Sequence, residues 1–220
     1  VEKLLCEWAT QAGFGVSSAI TLSAAESIKH TLALPILDSP TAVIGDQRRR
    51  LPLPGEAWLY THPVEHPTYD RLFAGLLVWY GGYTGAAPWI YQLTHRGEGW
   101  DDWASNRHGY RLQSYAYPSE DGAVPTRQLA GFREGADDVK YLEMLEKRVE
   151  ALSGKQGQLD QAMRTAWQSA SELINRPPKQ FQGSGSTLHE RVDGQMLADF
   201  RTQVADLLVK LDAGVNPRKP

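Results

Sequence analysis

The stretch that decides the fold reads YPSEDGAVPTRQLAGFREGADDVKYLEMLE and runs from Tyr117 to Glu146. Its first part, at 117–125, combines two prolines with Gly122, a composition typical of a stiff turn that leads into a helix. A helix is predicted at 126–152, because apolar residues recur at intervals of three and four and form one stripe. The stripe consists of Leu129, Phe132, Ala136, Val139, Leu142 and Leu145.

Upstream of this helix, apolar runs alternate with helical patterns four times. The runs at 14–22, 56–62 and 85–93 predict strands, and one further strand falls either at 36–37 or at 42–44. The run at 85–93 is apolar on both faces, which is typical of a parallel sheet covered by helices. The alternation predicts a parallel sheet with right-handed crossovers. Four such units fit either a small open sheet or half of an eight-stranded barrel.

Helical spacing predicts further helices on both sides of the opening stretch. One occupies 2–12, and another runs over 69–80 and is ended by a Gly-Gly pair. After the break at 154–157, two more amphipathic helices are predicted at 159–174 and 188–212.

The chain is therefore divided into two parts. An α/β domain is predicted over 1–152, with a long aromatic loop at 94–125 that contains a short strand at 112–117. An all-helical extension follows over 153–220. A loop of this length inside a compact domain is typical of a functional segment.

Composition excludes several classes of protein and site. The net charge is −3 and the only basic run is QRRR at 47–50, so no nucleic-acid partner is expected. Cys6 is alone, which excludes an internal disulfide framework and a cysteine-built metal site. The histidines follow no metal-ligand spacing, and no run reaches the ~18 apolar residues of a membrane span. We expect neither a cofactor nor a membrane partner.

Aromatic residues give the first indication of a binding site. The chain has seven Trp and nine Tyr against five Phe, and most of the Trp and Tyr fall between Trp58 and Tyr117. Both side chains combine a flat apolar face with a polar group, which suits a wet, concave surface better than a dry core.

Three stretches together resemble the C-terminal half of the catalytic domain of glycoside hydrolase family 123 and its relatives. They read GEAWLYTH, RLFAGLLVWYGGYTGAAPWIYQL and YAYPSEDGAVPTRQLAGFREGADDVKYLEMLE. The resemblance covers 56–146 well and the first 55 residues only by the order of elements, and Ser119 replaces the glycine that follows Tyr-Pro in the family. The matching positions are Trp58, Tyr60, Arg71, Trp79, Gly85, Trp89, Tyr117, Pro118, Gly122, Arg127, Arg133, Gly135, Asp138, Tyr141 and Leu142.

This resemblance implies the C-terminal half of a (β/α)8 TIM-like barrel, with about four parallel strands in this chain. It also implies hydrolysis of glycosides of N-acetylated galactosamine-type sugars, with retention and with assistance from the substrate's own acetamide. Family enzymes carry an adjacent Asp-Glu pair at the end of the fourth strand, and no such pair follows a strand here. The acid is expected on an N-terminal half outside this chain, or else this branch of the family has lost it.

The alternative is a carbohydrate-binding or scaffold protein without catalysis. Because half a barrel leaves two open sheet edges, we expect it to be completed by its N-terminal half, by a second copy or by a partner chain. The chain opens with Val rather than Met, as a processed chain or a fragment does. A role in glycan processing would favour a secreted or periplasmic location.

The first candidate residues for sugar binding lie on two predicted strands. Trp58, Tyr60 and His62 alternate along one strand and so point to one side, and Trp89 and Tyr91 share a face of the next. In a barrel, residues at the strand C-termini form the active face. The structural alternatives are that His62 caps its strand and that Trp89 fills the barrel core.

The second group of candidates lies in the aromatic loop. In the sequence WDDW, the residues Asp101, Asp102 and Trp103 could hold vicinal hydroxyls beside a stacking indole, and Tyr117 follows on the same predicted face. The alternative is an acidic first turn of a helix. The acidic pair Asp137–Asp138 lies inside a predicted helix, where an ion pair with Arg133 is the expected role.

Overall fold

The computed structural model describes residues 2–13, 17–20, 34–38, 56–61, 66–88, 91, 114–151, 156–174 and 192–215. Within these residues the chain is a mixed α/β protein that is mostly helical. The elements in chain order are α1 Glu2–Gln11, β1 Ser17–Ile20, β2 Leu34–Asp38, β3 Trp58–Thr61, α2 Pro67–Ala74, α3 Leu76–Gly81, β4 Gly85–Pro88, β5 Ala116–Ser119, β6 Gly122–Pro125, α4 Arg127–Ala151, α5 Gln156–Ile174 and α6 Gly194–Val215.

The strands β1 to β4 form a parallel sheet in the spatial order 1-2-3-4. Strands that are adjacent in this sheet are therefore consecutive in the chain, as in the register pairs Ile36 with Trp58 and Trp58 with Gly85. The prediction of a parallel sheet is confirmed. Of the two alternatives for the second strand, the one at 36–37 is confirmed, and 42–44 lies outside the described residues.

The strand and the stiff loop predicted at 112–125 are corrected by the structure. Ala116–Ser119 and Gly122–Pro125 form an antiparallel hairpin, with Tyr117 opposite Val124, rather than one strand followed by an irregular loop. Proline has no backbone N–H group, so it is tolerated on a strand whose outer edge has no hydrogen-bonded neighbour. Both strands of a two-stranded sheet have such an edge, which explains why Pro118 and Pro125 fit here.

The single helix predicted at 69–80 is broken into α2 and α3 at Gly75. The helix ends at Gly82 as predicted, where the backbone turns left-handed with φ of 67°. Position 75 has no room for a side chain, because a Cβ atom there would lie 2.9 Å from the Cα atom of Gly135 in α4.

The helices α2 and α4 cross with their backbones in contact. A Cβ atom on Gly131 would collide with the carbonyl of Pro67, and one on Gly135 with the carbonyl of Arg71. The deeply buried face of α4 therefore starts with small and polar residues and becomes apolar only in its later turns. It consists of Gln128, Gly131, Gly135, Asp138, Leu142 and Leu145, whereas Leu129, Phe132, Ala136 and Val139 of the predicted stripe are half-buried.

An ion-pair network joins three helices at this crossing. Asp138 of α4 is buried and accepts two hydrogen bonds from the guanidinium of Arg71 in α2, at 2.7 and 3.0 Å. It accepts another from Arg201 of α6, which also donates to the carbonyl of Glu134. Asp137 accepts a hydrogen bond of 2.7 Å from Lys140, and the predicted interaction with Arg133 exists only as a weaker charge effect on the pKa of Asp137.

The C-terminal helices share the core of the α/β part. Trp79 of α3 stacks on Trp167 of α5 with ring centroids 4.5 Å apart, and its indole nitrogen donates to Glu146 of α4 at 2.8 Å. Leu197 and Phe200 of α6 belong to the same buried cluster. A division of the chain near residue 152 stays a prediction.

Candidate functional site

The candidate site lies where the carboxyl ends of the four parallel strands meet, which we call the C-terminal edge. Because α2 follows β3, its first turn from His66 to Asp70 begins at this edge. Tyr91 lies three residues beyond the end of β4, and its carbonyl accepts a hydrogen bond of 2.9 Å from the backbone nitrogen of Tyr115. Strand ends, a helix start and the segment before the hairpin thus meet here.

The two faces of β3 have different surroundings. Ala57 and Leu59 are buried in the core that α2 and α3 cover. Trp58 and Tyr60 alternate with them and face the other side, where Trp58 is 37% exposed. The predicted alternation along this strand is confirmed.

Gly85 of β4 makes room for the indole of Trp58. A Cβ atom at Gly85 would lie 2.8 Å from the indole nitrogen of Trp58. Trp58 is the first residue of β3, and at about 3.3 Å per residue it lies roughly 10 Å before the C-terminal edge. Tyr60 is one residue from that edge, so of these two only Tyr60 reaches it.

Tyr91 is the most exposed aromatic residue among the described residues of this edge, at 55%. Its ring lies against Tyr115, with centroids 5.9 Å apart. The ring of Tyr115 is 2% exposed and also contacts Phe132 of α4, at 5.7 Å. An exposed tyrosine is therefore supported from beneath by a buried one.

Asp70 completes this arrangement from the side of α2. Its side chain is fully buried, and its Oδ1 atom accepts a hydrogen bond of 3.1 Å from the hydroxyl of Tyr115. Among the described residues, its Oδ2 atom has no hydrogen-bond partner. Burial raises the pKa of Asp70 from 3.8 to about 7, although the hydrogen bond from Tyr115 acts in the opposite direction. A buried carboxyl with so perturbed a pKa is typical of functional sites.

The hairpin projects from this edge. Tyr117 is half-buried, and the residues from Pro118 to Pro125 are exposed. The hairpin is tied to the start of α4, because the Thr126 hydroxyl donates to the carbonyl of Ser114 at 2.8 Å. The backbone nitrogen of Thr126 also donates to the carbonyl of Tyr115, at 3.0 Å.

Of the nine residues predicted to bind sugar, four are described. Tyr60, Tyr91 and Tyr117 lie at or next to the C-terminal edge, and Trp58 lies at the far end of its strand. The other five fall outside the described residues and stay predictions, namely His62, Trp89, Asp101, Asp102 and Trp103.

Sequence reasoning missed Asp70 and Tyr115. One signal was available for Asp70, since it shares a helical face with Phe73 and Ala74, both buried, and a charge on such a face is unusual. Tyr115 gave no distinct signal, because many aromatic residues surround it in the sequence.

No family model matches the chain, and a search of curated proteins gave no match either. The described residues hold no group of three or more His, Cys, Asp or Glu side chains placed to bind a metal ion. In the same part of the chain, no helix is long and apolar enough to cross a membrane.

Proposed function

We propose that the chain supplies four consecutive βα units of a (β/α)8 barrel and binds glycans containing N-acetylhexosamine at its C-terminal edge. The strand order 1-2-3-4 supports the barrel part. In open doubly wound sheets the strand order reverses at a switch point, and the four described strands have no such reversal.

The uncovered face of β3 supports the same part of the proposal. Parallel sheets are normally covered on both sides, yet Trp58 on the face opposite the helices is substantially exposed. Closure of a barrel would turn this face inward, where side chains of successive strands fill the interior. On this proposal, Trp58 packs in the barrel interior and Tyr60 lies nearer the mouth.

Tyr91 is the single observation that carries the sugar-binding part. An exposed tyrosine that is packed against a second ring and held by a backbone hydrogen bond forms a rigid flat surface at the edge where barrel proteins bind ligands. Apolar faces of sugar rings stack on such surfaces. Tyr60 and Tyr117 flank Tyr91 as further contacts, and Trp89, Asp101, Asp102 and Trp103 are proposed to complete the site.

Catalysis is proposed to require an acidic pair from outside this chain, as the resemblance to glycoside hydrolase family 123 implies. Asp70 does not take that role, because a fully buried carboxyl cannot touch a sugar. A complete enzyme of this kind would be a retaining hydrolase that uses the acetamide of its substrate.

The second candidate is a carbohydrate-binding protein without catalysis, whose sheet is completed by a second copy or by a partner chain. The exposed Trp58 favours it, since an association that covers this face would bury the indole. Sedimentation of the isolated chain tests completion by a second copy. A dimer in which Trp58 becomes protected from quenching supports this form of the second candidate, and a monomer excludes it.

Calorimetric titration with N-acetylgalactosamine tests the proposed binding. The variant Tyr91→Ala is expected to bind about tenfold more weakly, which corresponds to about 1.4 kcal/mol of lost stacking. The matched control is Tyr141→Ala, since Tyr141 is 37% exposed and lies 14 residues along α4 from Arg127, about 21 Å from the edge. Equal affinity in both variants, or no binding by the parent chain, would exclude the proposal.

A further inference from the structure

A buried carboxyl lies directly beneath the exposed surface of the C-terminal edge. Asp70 is fully buried in the first turn of α2, and the described residues give it one side-chain hydrogen bond, from the hydroxyl of Tyr115. When Asp70 is ionised, its Oδ2 atom carries part of a negative charge with no donor among the described residues. A charge in that position is costly, and protonation removes it.

Among the described residues of the surrounding helices, no charged side chain pairs with Asp70. The adjacent Arg71 turns its guanidinium to Asp138, 2.7 Å away, and so is already paired. Arg127 and Arg133 of α4 are exposed. The carbonyl of His66, the residue that caps the start of the same helix, accepts a hydrogen bond of 3.1 Å from the backbone nitrogen of Asp70.

Tyr115 connects this carboxyl to Tyr91 in two independent ways. Its hydroxyl bonds to Asp70, while its ring lies 5.9 Å from the ring of Tyr91. Its backbone nitrogen donates to the carbonyl of Tyr91 at 2.9 Å. A shift of the Tyr115 side chain therefore moves the packing partner of the Tyr91 ring, while the backbone hydrogen bond keeps the two residues adjacent.

We propose that Asp70 is a proton-dependent positioning residue that acts through Tyr115 to hold the ring of Tyr91 at the C-terminal edge. In the neutral form, the Asp70 carboxyl stays buried and accepts the Tyr115 hydroxyl, and Tyr91 is fixed. Ionisation draws water towards Oδ2 and strengthens the hydrogen bond from the Tyr115 hydroxyl, so Tyr115 moves with the carboxylate and Tyr91 loses its packing partner. Asp70 contacts no ligand itself, so its influence on binding passes entirely through the two tyrosines.

The direct test is NMR of the chain with carbon-13-labelled tyrosine, titrated with pH. The ring signals of Tyr91 and Tyr115, assigned with Tyr→Phe variants, are expected to shift together with one midpoint near neutrality in the parent chain. In Asp70→Asn, this shared shift disappears. A Tyr91 signal that does not move with pH, or that still moves with the same midpoint in Asp70→Asn, would overturn the inference.

Tyr115→Phe provides a second, gentler test, because it keeps the ring and removes only the hydroxyl. The pH shift of Tyr91 is expected to weaken or to change its midpoint, and an unchanged titration counts against the inference. Asp137→Asn is the matched control, since Asp137 is an exposed carboxylate on α4, and it must leave the Tyr91 titration unchanged.

The consequence for ligand binding rests on the proposed function. Affinity for N-acetylgalactosamine is expected to fall about tenfold as pH rises from 6 to 8 in the parent and to stay flat in Asp70→Asn. If the parent binds no sugar at any pH, the proposed function fails, while the NMR titration still decides whether Asp70 positions Tyr91.

Discussion

Replacing Asp70 with Asn should abolish one pH-dependent component of the protein's stability. The pKa of Asp70 is about 7 in the folded chain and its ordinary value is 3.8, so between these values the folded state holds a proton that the unfolded state has lost. Stability therefore falls as pH rises through this window and is constant with respect to this group above it. Asn cannot ionise, and its side-chain oxygen still accepts the Tyr115 hydroxyl.

The magnitude follows from the size of the pKa difference. At about 1.4 kcal/mol per pKa unit, the full window corresponds to about 4 kcal/mol, of which about 3 kcal/mol falls between pH 5 and pH 8. The difference in unfolding free energy between Asp70→Asn and the parent should thus change by about 3 kcal/mol in favour of the variant over this range. Burial of the asparagine amide lowers the unfolding free energy of the variant by about 1–3 kcal/mol at every pH, so it does not affect that change.

Guanidinium unfolding followed by tryptophan fluorescence measures this difference, with Trp79 and Trp167 as stacked reporters in the core. Asp137→Asn serves as the control, because Lys140 lowers the pKa of Asp137 below 3.8, and its removal therefore leaves the slope of stability against pH unchanged between pH 5 and pH 8. Curves of stability against pH that run parallel in the parent and in Asp70→Asn would refute the reasoning, since they would give Asp70 an ordinary pKa.

Three further substitutions and one control test the packing that positions the site, each by urea unfolding. Asp138→Ala should cost about 3–5 kcal/mol, because it leaves the buried guanidinium of Arg71 without its partner. Gly135→Ala should cost about 1–3 kcal/mol, whereas Gly194→Ala, with open space around it, should change stability by less than about 0.5 kcal/mol. Trp79→Phe should cost about 1–2 kcal/mol through loss of its indole hydrogen bond and part of its stacking. Equal effects of the two glycine substitutions would contradict the close helix crossing.

Local pattern predicted the order of the elements but not their pairing. The alternation of apolar runs and helical spacing identified β1, β3 and β4. The choice between 36–37 and 42–44 for β2 depended on the register with β3, which is a contact between distant residues. The hairpin was missed for a similar reason, because its prolines are acceptable only on strands whose edges are open.

Hydrophobic periodicity also gave an incomplete account of α4. It correctly found Leu142 and Leu145, which pack in the core. It missed Gly131 and Gly135, because their burial comes from the close approach of α2 and not from their own hydrophobicity. A buried face made of glycines can be recognised only when the second helix is known.

The candidate site shows the same limit of local pattern. The concentration of Trp and Tyr led to Tyr60 and Tyr91, which reach the C-terminal edge. It also led to Trp58, which the strand boundaries put at the opposite end of β3. Asp70 was not among the predicted residues, because its pKa depends on burial by elements that are distant in the sequence.

The most direct test of the central claim is to map sugar binding by NMR. In a titration of the carbon-13 and nitrogen-15 labelled chain with an N-acetylgalactosamine oligosaccharide, we expect the largest shifts at Tyr60, Tyr91 and Tyr117, and much smaller shifts along α6. Saturable shifts confined to α5 and α6, or none at millimolar sugar, would contradict the claim that the C-terminal edge of the sheet is a glycan-binding site.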